Sequence, residues 1–263
     1  MDRTWWHRQT PDKPLHPDLL WSRPQNKRQA GKLLIVGGNV HGFAAAGEAY
    51  SQAIKAGIGT ARVLLPDSLQ KTIGKVFEAG EYAPSTPSGS FAQTALGELL
   101  ELAAWADSVL LAGDFGRNSE TAIVLEKFVD KYNGRLTLTK DAVDYFIKTP
   151  SSLLDRVDCL LVPSFAQLQK LAIKASLTTV LTFSMDFLRL VDALHELTDK
   201  YQAGIIIKHL QTIFVALNGE VSTTKLDEDL ETWRVATATR AAVWWLQNPG
   251  KPFEAMTASL AAS

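Results

Sequence analysis

The sequence predicts an α/β fold with three layers, α/β/α, in which a mostly parallel central sheet carries an antiparallel hairpin at one edge. Three observations carry this expectation. First, Lys32–Pro66 reads as strand, glycine loop, helix, strand: an apolar run (Leu33–Val36) breaks at Gly37-Gly38, a small-residue helix spans about Phe43–Lys55, and Gly57 and Gly59 open the run Ala61–Leu65, closed by Pro66. Second, similar strand and helix signals alternate through the rest of the chain. Third, Thr212–Leu217 and Val221–Thr224 flank Asn218-Gly219, a dipeptide suited to the tight turn of an antiparallel hairpin.

The remaining elements follow in order. Asp67–Glu78 reads as a helix, PSTPSG at Pro84–Gly89 as a loop, Phe91–Trp105 as a helix and Ser108–Ala112 as a strand ending at Gly113. Ser119–Tyr132 has apolar residues at helical spacing, and Arg135–Thr139 and Val157–Val162 read as strands, the latter stopped by Pro163. A short helix at Phe165–Ala175, a short strand at Val180–Phe183, an amphipathic helix at Met185–Tyr201 and a β-branched strand at Gly204–Lys208 precede the hairpin. Helices at Thr232–Leu246 and around Glu254–Leu260 close the chain. Residues 1–31 stand apart as an arm, with four prolines, Trp5, Trp6, Trp21 and an excess of basic side chains. The prolines disrupt periodicity, so the arm reads as irregular and pinned by its aromatics to the domain of residues 32–263 or to a second subunit.

Composition narrows the functional classes. The 263 residues are 46% hydrophobic, enough for one large core. Lys and Arg total 27 against 28 Asp and Glu, so nothing in the balance calls for nucleic acid or an anionic membrane as partner. The single cysteine, Cys159, excludes an internal disulfide and a cysteine-rich metal site, and within CLLV it reads as a buried small hydrophobe. The charged, tryptophan-bearing start lacks the apolar core of a signal peptide, no run reaches the ~18–20 residues that span a bilayer, and the expected location is cytoplasmic.

Several short motifs, in one order, resemble those of the ADP/ATP-dependent NAD(P)H-hydrate dehydratases, over roughly residues 28–258. Gly31-Lys32-Leu33-Leu34-Ile35-Val36-Gly37-Gly38 and Gly57-Ile58-Gly59 look like the family's first strand, glycine loop and Gly-Ala-Gly. Ala112-Gly113-Asp114-Phe115-Gly116 stands for its Gly-Pro-Gly-Leu-Gly, Thr139-Lys140-Asp141-Ala142-Val143 for Asp-Ala-Asp-Ala-Leu, and Val162-Pro163-Ser164-Phe165-Ala166-Gln167 for Thr-Pro-His-Pro-Gly-Glu. Lys208-His209 stands for its Lys-Gly, and Ala236-Thr237-Ala238-Thr239 for its Gly-Thr-Gly-Asp. The resemblance implies a ribokinase-like fold, ADP or ATP as cosubstrate with magnesium, and a nucleotide or NAD(P)H-like small molecule as partner; a homo-oligomer is the alternative in which the arm docks on a second subunit.

The last motif departs most. In the family its backbone amides cradle phosphate at a helix N-terminus, where glycine permits close approach, and its aspartate moves the proton. Here both glycines are alanine and Thr239 stands at the aspartate position, which leaves the catalytic residue unknown. Thr232–Trp245 reads equally as one unbroken helix, and Asp227, Glu228, Asp229 and Glu231 precede it, either repelling a polyanion or forming a solvated helix start. The implied ligand-binding positions are Gly37, Gly38, Asn39, His41, Gly113, Asp114, Gly116, Asp141, Ser164, Lys208, Thr237 and Thr239, with no metal-ligating set. For some of these a structural role competes: Asn39 as a helix cap beside an exposed His41, Asp141 as a helix-start acid, and helix capping by Asn118 or Ser119 in place of a ligand role for the Asp114–Arg117 loop. His7 and His195 have no partners at ligand spacing. Three functions compete: a catalytically impaired nucleotide-binding homologue, an active dehydratase in which Arg240 or Asp141 replaces the lost aspartate, and a scaffold whose tryptophan-rich arm and last helices hold a partner.

Overall fold

A computed structural model of the chain describes residues 3–10, 12–75, 77–225 and 233–261. Its strands are β1 (Trp6–Gln9), β2 (Lys32–Gly37), β3 (Thr60–Pro66), β4 (Gly80–Ala83), β5 (Ser108–Gly113), β6 (Arg135–Thr139), β7 (Cys159–Val162), β8 (Gly204–His209), β9 (Thr212–Leu217) and β10 (Glu220–Lys225). The helices are α1 (Pro17–Trp21), α2 (Ala44–Lys55), α3 (Gln70–Ile73), α4 (Leu96–Trp105), α5 (Ser119–Lys131), α6 (Ser151–Leu154), α7 (Phe165–Lys174), α8 (Phe187–Lys200), α9 (Trp233–Gln247) and α10 (Pro252–Ala258).

All the strands join one sheet in the order β1-β10-β9-β8-β7-β6-β5-β2-β3-β4. Every neighbouring pair is parallel except β8–β9 and β9–β10, so β9 alone runs against the rest. The Asn218-Gly219 turn takes positive φ at both residues, 51° and 76°, as a two-residue turn between right-twisted strands requires.

Alternation along the strands explains the three layers. Leu34 and Val36 of β2, Val109 and Leu111 of β5, and Leu136 and Leu138 of β6 face one core, shared with α4, α5, α7 and α8. Leu33, Ile35, Leu110 and Ala112 face the opposite core, shared with α2 and α9. Strands buried on both faces are continuously apolar, as β2 and β5 are. On α2 the buried positions are Ala45, Ala46, Ala49 and Ala53, and this small-residue stripe lets the helix lie close to the sheet and to α9. Cys159 is buried in β7, where burial pushes its thiol up to about 12, so it packs as a small hydrophobe.

Four expectations are corrected. The arm is not wholly irregular: β1 adds in parallel to β10, Arg3 pairs with Asp192 at 2.6 Å, and the Trp5 and His195 rings stack at 3.8 Å with a 5° interplanar angle. The helix expected over 67–78 shrinks to a turn of 3₁₀ helix at Asp67–Leu69 followed by α3, and the chain then forms the unanticipated edge strand β4. Phe91 lies outside α4, which starts at Leu96 after a 3₁₀ turn at Gln93–Ala95. Val180–Phe183 is not a strand: β7 and β8 are direct neighbours, leaving it no place in the sheet, and Val180 and Phe183 are 74% and 67% exposed.

The tightest point of the sheet is where β2 meets β5. A Cβ on Gly37 would lie 2.5 Å from the carbonyl oxygen of Gly113, and both partners are backbone with little room to move. Gly37→Ala is expected to destabilise the fold by ~1–3 kcal/mol, the range for overpacking a closed site. Urea denaturation monitored by tryptophan fluorescence measures it; an unchanged midpoint would contradict this contact.

Candidate functional site

Strand order reverses between β2 and β5. From β2 the chain moves through β3 to β4 on one side, then returns to lay β5, β6, β7 and β8 on the other. Such a switch point opens a crevice at the carboxyl ends of the strands, where ligands of open α/β sheets lie. Gly37 and Gly38 end β2, Gly113 and Asp114 end β5, Asp141 follows β6, Ser164 follows β7 and Lys208 is near the end of β8. These strands are mutually parallel, so the positions share one edge of the sheet.

Asp114 organises the crevice. Its φ of 60° lies in the left-handed region, uncommon for a residue with a side chain. This conformation accompanies an inward carboxylate: one oxygen meets Lys140 Nζ at 2.6 Å, and the other accepts the Ala45 amide of the first turn of α2 at 2.7 Å. Lys140 also has positive φ, 52°, so two strained residues are joined by one ion pair. The N-terminus of α2 is therefore served by the chain's own carboxylate, with the Lys140 ammonium offsetting the charge. Glu48, one turn further along α2, is held above the usual carboxylate range by burial and, to a lesser degree, Asp114, while Lys140 opposes the shift.

Asn39 does not cap α2. Its side-chain amide donates to the Asp114 carbonyl at 2.6 Å, and its side-chain oxygen accepts the His41 amide at 2.8 Å, tying the first glycine loop to the second. His41 is exposed. Asn118 does cap α5, accepting the Glu120 and Thr121 amides. Asp141 accepts the Gly116 amide at 3.1 Å through one oxygen, while its other oxygen is buried without a hydrogen bond. Desolvation raises its pKa, against opposing backbone hydrogen bonds from Gly116 and Asp114.

Ser164 serves the fold: its hydroxyl caps α7 and Gln167 returns a bond to the Ser164 amide, a reciprocal capping box. Gln167 also donates to the Lys140 carbonyl at 2.7 Å and meets Arg234 at 3.4 Å, linking β6, α7 and the first turn of α9. Lys140, Glu48, Gln167, Tyr145 and Arg234 had no separate prominence in the sequence; the position of Lys140 directly after β6 was the available signal.

Thr237 and Thr239 do not join this cluster. Helix α9 is continuous from Trp233, both threonines are buried, and the Thr239 hydroxyl donates to the Val235 carbonyl one turn back. Ala236 and Ala238 lie within the same helix, with their amides committed to it. The acidic positions Asp227, Glu228, Asp229 and Glu231 lie outside the described residues. Arg240 is two turns into α9, its Nε buried without a partner. His7 contacts Glu220 at 2.5 Å, and His195 is engaged by the Gly219 carbonyl and Trp5. Among the described residues, no group of three or more histidine, cysteine or acidic side chains converges to hold a metal, and no helix is long and apolar enough to cross a membrane.

No protein-family model matches the chain, and no curated protein matches it. Solved structures do. A ribokinase-like superfamily protein from Enterococcus faecalis superposes with a TM-score of 0.74 at 14% identity, covering 100% of this chain and 88% of that one. The ADP/ATP-dependent NAD(P)H-hydrate dehydratase of Bacillus subtilis, co-crystallised with ATP and Mg²⁺, gives 0.61 at 12% identity over 90% of this chain and 79% of its own. Pyridoxal kinase from Staphylococcus aureus, in complex with AMP-PCP and pyridoxal, gives 0.54 at 13% identity, covering 88% and 85%. The fold is ribokinase-like.

The raised pKa of Asp141 has a signed consequence. The folded state holds its proton to higher pH than the unfolded chain, whose aspartate titrates near ~3.9, so Asp141 supports folding below that pH and loses this contribution as pH rises through its raised value. Asp141→Asn keeps an acceptor for Gly116 without the charge. Relative to the variant, the wild type is expected to lose stability as the pH rises from below the unfolded chain's aspartate pKa through the raised value. Paired denaturation curves across that window test it, and parallel pH profiles would be the contrary result.

Proposed function

We propose that this chain is a nucleotide-binding homologue of the ADP/ATP-dependent NAD(P)H-hydrate dehydratases in which the ancestral proton-transfer chemistry is impaired. One observation carries the reading: glycine-loop and strand-end positions assemble at the switch point, whereas α9 runs unbroken through Ala236–Thr239 and buries Thr239 where the family's aspartate would stand. A threonine hydroxyl bonded to a helix carbonyl neither accepts nor releases a proton near neutral pH, and committed helix amides no longer point at phosphate.

The proposed ligand is ADP or ATP, or a related dinucleotide such as NADPH, set against the Gly37-Gly38 and Gly113–Gly116 loops. Lys140 and Arg234 are the cations of the cluster nearest this crevice, and Asn39 and Asp141 supply polar contacts. No group of three metal-ligating side chains converges among the described residues, so Mg²⁺ would accompany the nucleotide chiefly through its phosphates.

A second reading has specific support in Asp141. Its half-buried carboxylate, with pKa raised by desolvation, has the character of a general acid or base, and it sits at the crevice that Thr239 has left. In that case the chain removes water from hydrated NADH or NADPH with Asp141 as the relocated acid–base group.

Thermal unfolding with ADP, ATP, NAD and NADPH, run beside a turnover assay on hydrated NADH, tests both readings. A nucleotide at 100 times its Kd is expected to stabilise the fold by ~2.7 kcal/mol, with no turnover above background. Turnover abolished by Asp141→Asn would establish the second reading in place of the first. The absence of any shift with every nucleotide would overturn both.

A further inference from the structure

A second concavity of about 700 Å³ lies between the start of α5 and the segment that follows β6. Its size is that of a site for a small organic molecule. Arg117, Lys148 and Lys170 reach it from three separate parts of the chain: the loop before α5, the segment after the 3₁₀ turn at Asp144–Phe146, and α7. All three are exposed, and none forms an ion pair with a described residue. Three cations that are not ion-paired outnumber the two carboxylates, Asp141 and Asp144, that share the cleft, and a bound anion offsets this excess positive charge.

The rest of the lining is mixed. Tyr145 and Ile147 provide a flat apolar surface, and the Tyr145 hydroxyl donates to the Gly116 carbonyl, which fixes the ring. Asp141 and Asp144 also border the cleft. They disfavour a simple polyanion and favour a ligand with a hydrogen-bond donor away from its negative group. The three cations in turn disfavour a bare metal ion. The N-terminal end of the thirteen-residue helix α5 opens beside the cations and adds a field of the same sign, although Asn118 already accepts the Glu120 and Thr121 amides.

We propose that this cleft binds a small phosphomonoester: its phosphate engaged by Arg117, Lys148 and Lys170, its flat body along Tyr145 and Ile147, and a donor group toward Asp141 and Asp144. The cleft shares Gly116 and Asp141 with the nucleotide crevice, but the residues that hold the phosphate, Arg117, Lys148 and Lys170, lie outside the Gly37–Gly113 crevice. It gives the protein a site for a phosphorylated, donor-bearing aromatic or planar metabolite.

Calorimetric titration of the full chain with phenyl phosphate, tyramine phosphate, phenol and inorganic phosphate tests it. Tyramine phosphate, whose ammonium can face the carboxylates, is expected to bind tightest, followed by phenyl phosphate, with phenol and inorganic phosphate weakest. Lys148→Ala and Lys170→Ala each remove an exposed side chain and are expected to weaken phenyl phosphate roughly threefold to fivefold, with affinity falling as salt is raised. Saturating ADP is expected to leave phenyl phosphate binding unchanged whether or not ADP itself binds, which separates this proposal from the nucleotide reading. No binding of either aryl phosphate, equal affinity in the double variant K148A/K170A, or displacement by ADP would each overturn the assignment. Equal affinity for tyramine phosphate and phenyl phosphate would remove the role given to Asp141 and Asp144.

Discussion

The close approach of Gly37 to Gly113 is the constraint from which the rest of the ligand edge follows. The register between β2 and β5 shifts at Val36/Gly37, and the Gly38 amide donates to the Gly113 carbonyl at 3.0 Å. With no side chain on either glycine, the two strand ends meet backbone to backbone. Gly113 then adopts a φ of 108°, which sends the chain into the left-handed residue Asp114. From there a single carboxylate reaches both the start of α2 and Lys140. One backbone contact thereby positions a helix, two loops and the charged centre of the crevice.

On the same face of the sheet, α2 and α9 pack through small side chains. Both present small buried residues, alanines along α2 and Thr237, Ala238, Ala241 and Ala242 along α9. A phosphate-cradling turn exposes backbone amides, whereas a continuous helix consumes them and gains a buried seam. Alanine at positions 236 and 238 suits the continuous helix that the chain forms there.

Much of the architecture was legible because it depends on local rules. The apolar runs of β2 and β5, the capping signal at Asn118 and the Asn218-Gly219 turn each declare their structure within a few residues, whereas the Ser164–Gln167 capping box was not read from the sequence, where Ser164 stood among the ligand positions. Strand β4 was not legible, because Gly-Glu-Tyr-Ala at an edge needs only one neighbour and shows no apolar run. Val180–Phe183 misled for the opposite reason: its composition suits a strand, but the sheet has no vacancy there. In the crevice, the sequence placed Asp114 and Asp141 on ligand-edge loops, but it could not show that Asp114 would turn inward to serve α2. That choice is made by a positive φ and by a lysine 26 residues away. Thr237 and Thr239 stood among the expected ligand positions, and the alternative reading of 232–245 as one helix is the one α9 takes from Trp233 onward.

The parallel docking of β1 on β10 ties together segments 215 residues apart in the chain. Strands β2 to β8 can close ranks through neighbours met soon after each is made, but β1 has no place in the sheet until the terminal hairpin exists to receive it. During synthesis Trp5 and Trp6 are made well before the partners they meet in the fold, α8 and β10. Long-range closure of this kind is slow to nucleate, and here it brings a β-strand, an ion pair and an aromatic stack together at one edge. The first strand in sequence therefore takes its place in the sheet only through the last strand, β10.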